Sequence, residues 1–403
     1  MSRLWSSGFE LNSTTDGVEL ITSVAETPEV QSAIVRSGSY AGRTQNTGGL
    51  GFAEYFYYQF ASSNQTTPLY FRLYLRIATS LSTQSEIIII QSVNDSYRIS
   101  IRLNTDNTLE LWNEEDSTQI GSDSSALSAD TWYRIELKVD TTTISSTDVD
   151  AKINGTSFAS GTANLAVGIG VITFGIGSAT GDLYWDDIAI NNSTSSFQNS
   201  WPGAGEIIHL RPNAAGDNTG WEPNTGTNFG AVDEVTPDDV TTYVTTTDVN
   251  PDILDDYNID ATPVALASDA TINVVQVGVR FRGRSTANCD NFALRIRASS
   301  GGTVEEGSTI APANATWRTN APAAPQNYSL TLYDLPGAST TAWTKADLDT
   351  AQIGLHNTTN DDEFTDVSTI WLLVEYTPAV AGGNDLSGVI LRNESLRLLK
   401  VGK

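Results

Sequence analysis

In "LYFRLYLRI" (69–77), Leu69, Phe71, Leu73, Leu75 and Ile77 alternate one for one with Tyr70, Arg72, Tyr74 and Arg76. A repeat of two is the period of a β-strand with one face turned inward, because successive side chains point to opposite sides. The same period returns in "YRISIRL" (97–103), where Tyr97, Ile99, Ile101 and Leu103 oppose Arg98, Ser100 and Arg102. It returns again in "TWYRIELKVD" (131–140), where Tyr133, Ile135, Leu137 and Val139 oppose Trp132, Arg134, Glu136 and Lys138. Asn154-Gly155 in "DVDAKINGTSFASG" (148–161) marks a two-residue hairpin turn. "VGIGVITFGIG" (167–177) reads as a buried strand flanked by glycines. Short alternating runs separated by Asn, Gly, Ser and Thr are the signature of an all-β sandwich.

Two such units fit in 403 residues. The polar stretch "NNSTSSFQNSWPGAGE" (191–206) places a boundary near 197–203, so residues 1–197 form the first sandwich and 203–378 the second. The second unit opens with long polar segments, and clear strands follow at 270–283, 291–299, 326–335 and 368–378. "AWTKADLDTAQIGL" (342–355) reads as one short helix with Thr344 as N-cap and Asp347 at its third position. Residues 379–403 form a linker and a leucine-rich segment ending in Arg397, Lys400 and Lys403. That segment is either a frayed terminus or an arm that docks on a neighbouring subunit.

Charge narrows the range of functions. The net charge is −26, which excludes a general nucleic-acid binder and disfavours an anionic membrane surface. One cysteine, Cys289, excludes an intrachain disulfide. The start "MSRLWSSGFEL" lacks the basic region and apolar run of a signal peptide, and no apolar stretch reaches membrane-spanning length. These features lead to the expectation of synthesis in a cytoplasm.

One strand poses a problem. "GDLYWDDIAINN" (181–192) carries two adjacent carboxylates, Asp186 and Asp187, amid apolar residues. Alternation sends one of them inward, where an unpaired charge costs several kcal/mol. It either accepts backbone N–H groups, pairs with an arginine, or ligates a cation.

The first ~195 residues resemble the concanavalin A-like lectin/glucanase, or laminin-G-like, sandwiches. The resemblance rests on "SGFEL" (7–11), "SGSYAGR" (37–43), "YFRLYLR" (70–76), "DTWYRIELKVD" (130–140), "KINGT" (152–156) and "LYWDDIAI" (183–190). The second half, around "DEVTPDDVTTYV" (233–244) and "AWTKADLD" (342–349), resembles domains of tailed-phage virion proteins. The resemblance implies paired first and last strands near a structural cation, with Glu10, Asp186 and Asp187 at the matching positions as candidate Ca²⁺ ligands. It also implies a bacteriophage virion structural protein, decorating a capsid or tail or built into a fibre. Such a protein would reside in the virion as a homo-oligomer, a trimer by guess, among other virion proteins. The alternative is a secreted carbohydrate-active enzyme or carbohydrate-binding module.

A host-surface glycan is the candidate ligand. Tyr70, Arg72, Tyr74, Arg76, Arg98, Arg102, Trp112, Trp132 and Arg134 all fall on non-core sides of their strands, a mixture suited to stacking on sugar rings and, with its arginines, to an acidic glycan. The plainer readings are a half-solvated sheet face with cross-strand pairs, or contact with the acidic second unit. The acid-rich region 217–260, with Asp233-Glu234, Asp238-Asp239 and Asp255-Asp256, fits no calcium-loop spacing and reads as a solvated acidic surface. No catalytic constellation is evident. Retaining glucanases of this fold carry Glu-x-Asp-x-x-Glu, whereas "EEDSTQ" (114–119) ends in Gln119. His209 and His356 stand apart in sequence, and the expectation is a non-enzymatic protein.

Overall fold

The computed structural model describes residues 3–14, 21–23, 28–48, 54–60, 67–93, 98–165, 167–177, 179–246, 252–312, 315–319, 329–338 and 340–379. Tyr97 and residues 380–403, which hold almost the whole expected docking arm, lie outside them. The fold is all-β. Four antiparallel sheets pack in pairs into β-sandwiches, as the alternation of apolar and polar residues along the strands demands.

In the first sandwich, the eight-stranded sheet runs Thr156–Ala163, Thr147–Ile153, Trp132–Asp140, Leu69–Thr79, Gly181–Asn192, Ala41–Asn46, Glu29–Gln31. Arg3–Ser7 pairs with the far half of Gly181–Asn192. The seven-stranded sheet runs Thr118–Ile120, Leu109–Asn113, Ile99–Leu103, Ser85–Gln91, Val171–Ile176, Glu54–Gln59, Ile21–Ser23. Inward residues from both, among them Leu73, Leu75, Ile101, Leu111, Phe174 and Trp185, make one core. Asn154 and Gly155 both have positive φ, 51° and 87°, as a primed hairpin turn requires.

The second sandwich pairs a six-stranded sheet, centred on Thr271–Gly283 and Thr365–Thr377, with a five-stranded one centred on Gln352–Asn357. Its core includes Tyr257, Val277, Phe281, Phe292, Leu355 and Leu372. The helix expected over 342–355 is confined to Lys345–Leu348, with Thr344 and Asp347 forming the capping box. Gln352–Asn357 is a strand instead, because it hydrogen-bonds to Ile253–Ile259 on one side and Phe292–Arg297 on the other. Two ladders outweigh a local preference for helix.

The sandwiches meet across an apolar and an ionic contact. Leu11 of the first packs with Ile207, Trp371 and Leu373 of the second. Beside them Glu375, fully buried, receives Arg72 Nη1 at 2.6 Å on one oxygen and Arg3 Nη1 on the other. The connecting chain passes directly over this triad at Gly205, where a Cβ would lie 2.3 Å from Arg72 Nη1 and 2.8 Å from Glu375 Oε1. Glycine is the residue that fits such an approach.

Candidate functional site

Asp186 and Asp187 sit at a β-bulge, and Asp187 has φ 49°. The bulge breaks the alternation, so both carboxylates turn into the protein and both are fully buried. Asp186 accepts the backbone N–H groups of Arg36 at 2.9 Å, Ser37 at 3.3 Å and Asp187 at 2.8 Å. Asp187 accepts Ser37 Oγ and the Ile207 amide, each at 2.6 Å, and the Arg36 guanidinium. Glu10 accepts the amides of Ser39 and Tyr40. Burial and the neighbouring Asp187 charge push the Asp186 carboxyl well above its ordinary range. Among the described residues no group of three or more His, Cys, Asp or Glu side chains is arranged to hold a metal ion.

The nine candidate glycan contacts do not share one surface, which corrects the single face expected from alternation. Tyr70, Arg72, Tyr74, Arg76, Trp132 and Arg134 lie on the outer face of the eight-stranded sheet. Arg98, Arg102 and Trp112 lie on the seven-stranded sheet across the core. Strand periodicity reports inside from outside but not which of two sheets a strand joins.

The middle of the eight-stranded face is closed. Arg72 is 0% exposed and tied to Glu375, so it cannot meet a ligand. Tyr74 lies beneath the Arg36 guanidinium, 3.3 Å from its ring centre. Glu136 accepts the Gly203 amide at 2.9 Å. Tyr70 packs edge-on against Trp201, over which Lys152 is stacked at 3.6 Å. The margin stays half-exposed, where Arg76 pairs with Asp130, Arg134 with Glu136, and Trp132 lies opposite Arg76.

The seven-stranded face carries a connected polar and aromatic cluster. Trp112 stands across from Ser100, Arg102 across from Glu86 and Glu110, and Glu114 beside Arg98. The Arg102 guanidinium lies 3.9 Å over the Trp112 ring while its Nε and Nη2 reach Glu114 at 2.9 and 2.5 Å. Trp112 Nε1 donates to Glu110, which also accepts Gln84 and Asn104. Glu86 lies opposite Arg102 and 3.9 Å from Arg98. Tyr55 and Tyr57, half-buried, flank this cluster on Glu54–Gln59, their neighbours Phe56 and Tyr58 pointing into the core. Burial and the Glu114 charge raise the Glu86 carboxyl. Burial works the same way on Glu114, yet hydrogen bonds from Arg102 and Ser100 hold it below its ordinary value. Sequence reasoning found Arg98, Arg102 and Trp112 here but missed Tyr55, Tyr57, Glu86 and Glu114. "EYFYYQF" (54–60) held the signal, with Tyr55 and Tyr57 alternating against Phe56 and Tyr58.

The acid-rich region is not a solvated surface. Asp255 and Asp256 are buried, Asp256 pairing with Arg295 and Arg297 from the neighbouring strands, and Asp239 pairs with Arg280. Burial pushes Asp255, which accepts the Tyr257 hydroxyl, up to about 7. The region holds no Lys or Arg of its own between Arg211 and Arg280, so its counter-ions come from residues far along the chain. Cys289 is buried, and His356 contacts Glu306 while His209 stacks on Trp371 at the junction.

No protein-family model matches the chain, and no curated protein does. Solved structures do. The cellulose-induced protein Cip1 is similar at 16% identity and a TM-score of 0.38, over 48% of this chain and 97% of that one. An endo-β-1,4-glucuronan lyase from Trichoderma reesei gives 11% and 0.36, over 47% and 96%. The carbohydrate-binding module CBM66 from Bacillus subtilis gives 5% and 0.27, over 38% and 87%. What those proteins bind or cleave is a property of theirs.

Proposed function

We propose that this protein binds carbohydrate through the outer face of its seven-stranded sheet. The observation that carries the reading is the Trp112–Arg102–Glu114–Glu86 cluster on an open face, bordered by Tyr55 and Tyr57. Aromatic rings offer flat apolar surface to a sugar ring while fixed carboxylates and guanidinium groups engage its hydroxyls. Both arginines already face carboxylates, Arg102 on Glu114 and Arg98 near Glu86. The face therefore has no spare positive charge, and it suits a neutral glycan rather than the acidic one expected from the sequence. A glycan array on the full chain tests this: neutral polysaccharides bind, and Trp112→Ala removes the signal. An array without hits for the wild type rejects it.

A second reading, a carbohydrate-active enzyme, draws on the oppositely tuned Glu86 and Glu114. Retaining hydrolysis needs two carboxylates ~5 Å apart with room for a sugar, whereas here Arg102 stands opposite Glu86 and is hydrogen-bonded to Glu114. Polysaccharide turnover abolished by Glu86→Gln would favour it over binding alone. The virion role rests on the resemblance of 233–244 and 342–349 to tailed-phage virion domains and on the acidic, Thr- and Asn-rich chain. Co-purification with phage particles is its test.

A further inference from the structure

One face of the six-stranded sheet serves two ends. At one end Trp371, Leu373 and Glu375 hold the first sandwich. At the other end the pattern "RFRGR" (280–284) sets Arg280, Arg282 and Arg284 outward, because Phe281 points into the core and a Cβ at Gly283 would meet Cys289 Sγ at 2.6 Å. Pairing aligns these residues in rows. Arg282 lies opposite Asp366, which lies opposite Thr245. Arg284 donates its amide to Phe364 O at 3.0 Å. The Phe281–Arg318 bridge brings Trp317 alongside Arg282.

Asp366 is 0% exposed and accepts Nε of both arginines, at 3.0 Å from Arg282 and 2.9 Å from Arg284. Among the described residues neither arginine pairs with another carboxylate. Two guanidinium groups over one buried carboxylate leave a surplus of one positive charge, in a chain whose net charge is −26. Arg280 does not add to it, being held by Asp239 at 2.6 and 2.8 Å. Bonding through Nε leaves the outer nitrogens of both forks without a partner among the described residues, and their side chains are 24% and 34% exposed. Aromatic rings wall the patch: Trp317 at 4.7 Å and Tyr243 at 5.9 Å from Arg282, and Phe364 at 5.1 Å from Arg284. Among the described residues Trp317 Nε1 has no hydrogen-bond partner.

We infer that Arg282 and Arg284, walled by Tyr243, Trp317 and Phe364, form a second binding site, for a sugar that bears an oxyanion. The forks match a carboxylate or sulfate in bidentate geometry, and the rings accept the apolar face of a pyranose. The uronate and the sulfated sugar share this chemistry, and the two probes below distinguish them.

Isothermal titration of the full chain with glucuronate, glucose 6-sulfate, glucose and inorganic sulfate tests the site. At least one anionic sugar binds tenfold or more tightly than both glucose and inorganic sulfate. Arg284→Gln lowers that affinity at least tenfold, Arg284→Lys recovers part of it, and Trp112→Ala leaves it unchanged. Trp317→Ala provides a second route should Arg284→Gln fail to fold, and it too loses the anionic sugar. No binding of either anionic sugar to wild type overturns the inference. So does sulfate alone binding as tightly as the sugars, or loss of binding through Trp112→Ala rather than Arg284→Gln. The Trp112→Ala control also separates this site from the proposed neutral-glycan face.

Discussion

The two sheets of the first sandwich offer outward rows of the same kind, tyrosine or tryptophan interleaved with arginine, yet their fates differ. On the eight-stranded sheet, Arg72 is buried against Glu375 and Tyr74 against Arg36. On the seven-stranded sheet, Arg102 stacks on Trp112, and among the described residues none of the contacts given for either comes from the second sandwich. The chemistry of a row therefore does not decide whether it binds a ligand. What decides it is whether the chain brings another layer down on top, and here residues 203–207 do so over one sheet only.

The covered face gives the largest expected effect. Glu375 has two buried cationic partners, Arg3 and Arg72, and none of the three reaches solvent. Removing one partner of a buried ion pair costs about 3–5 kcal/mol, because the remaining charge stays desolvated. Arg72→Met should lower unfolding free energy by that order in urea titration. It should also split one transition into two as the sandwiches uncouple. A loss below about 1 kcal/mol would mean that the junction is wet and the contrast between the faces weaker than drawn. The open face behaves in the opposite way. Trp112→Ala should cost about 1 kcal/mol or less in stability, as cross-strand pairs do, while lowering glycan affinity at least tenfold.

The two faces also titrate with opposite signs. Burial and the Glu114 charge raise Glu86. Its contribution to stability is complete below the unfolded carboxyl value, about 4.3, and is lost as pH rises through the folded value. Burial opposes ionisation of Glu375, but Arg3 and Arg72 outweigh it and hold that carboxyl below its ordinary value. Its contribution is present above about 4.3 and is lost as pH falls through the folded value. Melting temperature followed against pH should therefore lose part of its decline on the rising side in Glu86→Gln, and lose part of its acid limb in Glu375→Gln. Identical changes in the two variants would erase the distinction.

Much of this architecture was legible in the sequence, for a physical reason. The inward rows Leu69–Ile77 and Ile135–Val139 follow from a period of two, which is a local property of the chain. The capping box at Thr344 and Asp347 and the Asn154-Gly155 turn are local as well. The site was less legible because its membership is not local. Glu86 and Glu114 are 28 positions apart and meet only through the register of three strands. Arg72 and Glu375 meet across 303 positions. The helix over 342–355 was overextended for the same reason: the partners that make 352–357 a strand lie at 253–259 and 292–297.

The smallest expected effect concerns Asp186 and Asp187, whose adjacent charges raised the question of a cation. An N–H or O–H aimed at a carboxylate oxygen occupies a lone pair that a Ca²⁺ ion would need, and Ca²⁺ asks for six to eight oxygens. Here the two carboxylates already receive six donors, one of them the positively charged Arg36 guanidinium. Bringing Ca²⁺ beside that guanidinium sets like charges together in a buried space. Glu10 spends its oxygens on Ser39 and Tyr40. Millimolar Ca²⁺ or a chelator should therefore leave the melting temperature unchanged, while Arg36→Met should lower it. A rise of several degrees with Ca²⁺, absent in Asp187→Asn, would mean that the bulge opens to admit an ion and that this edge of the covered face is a metal site.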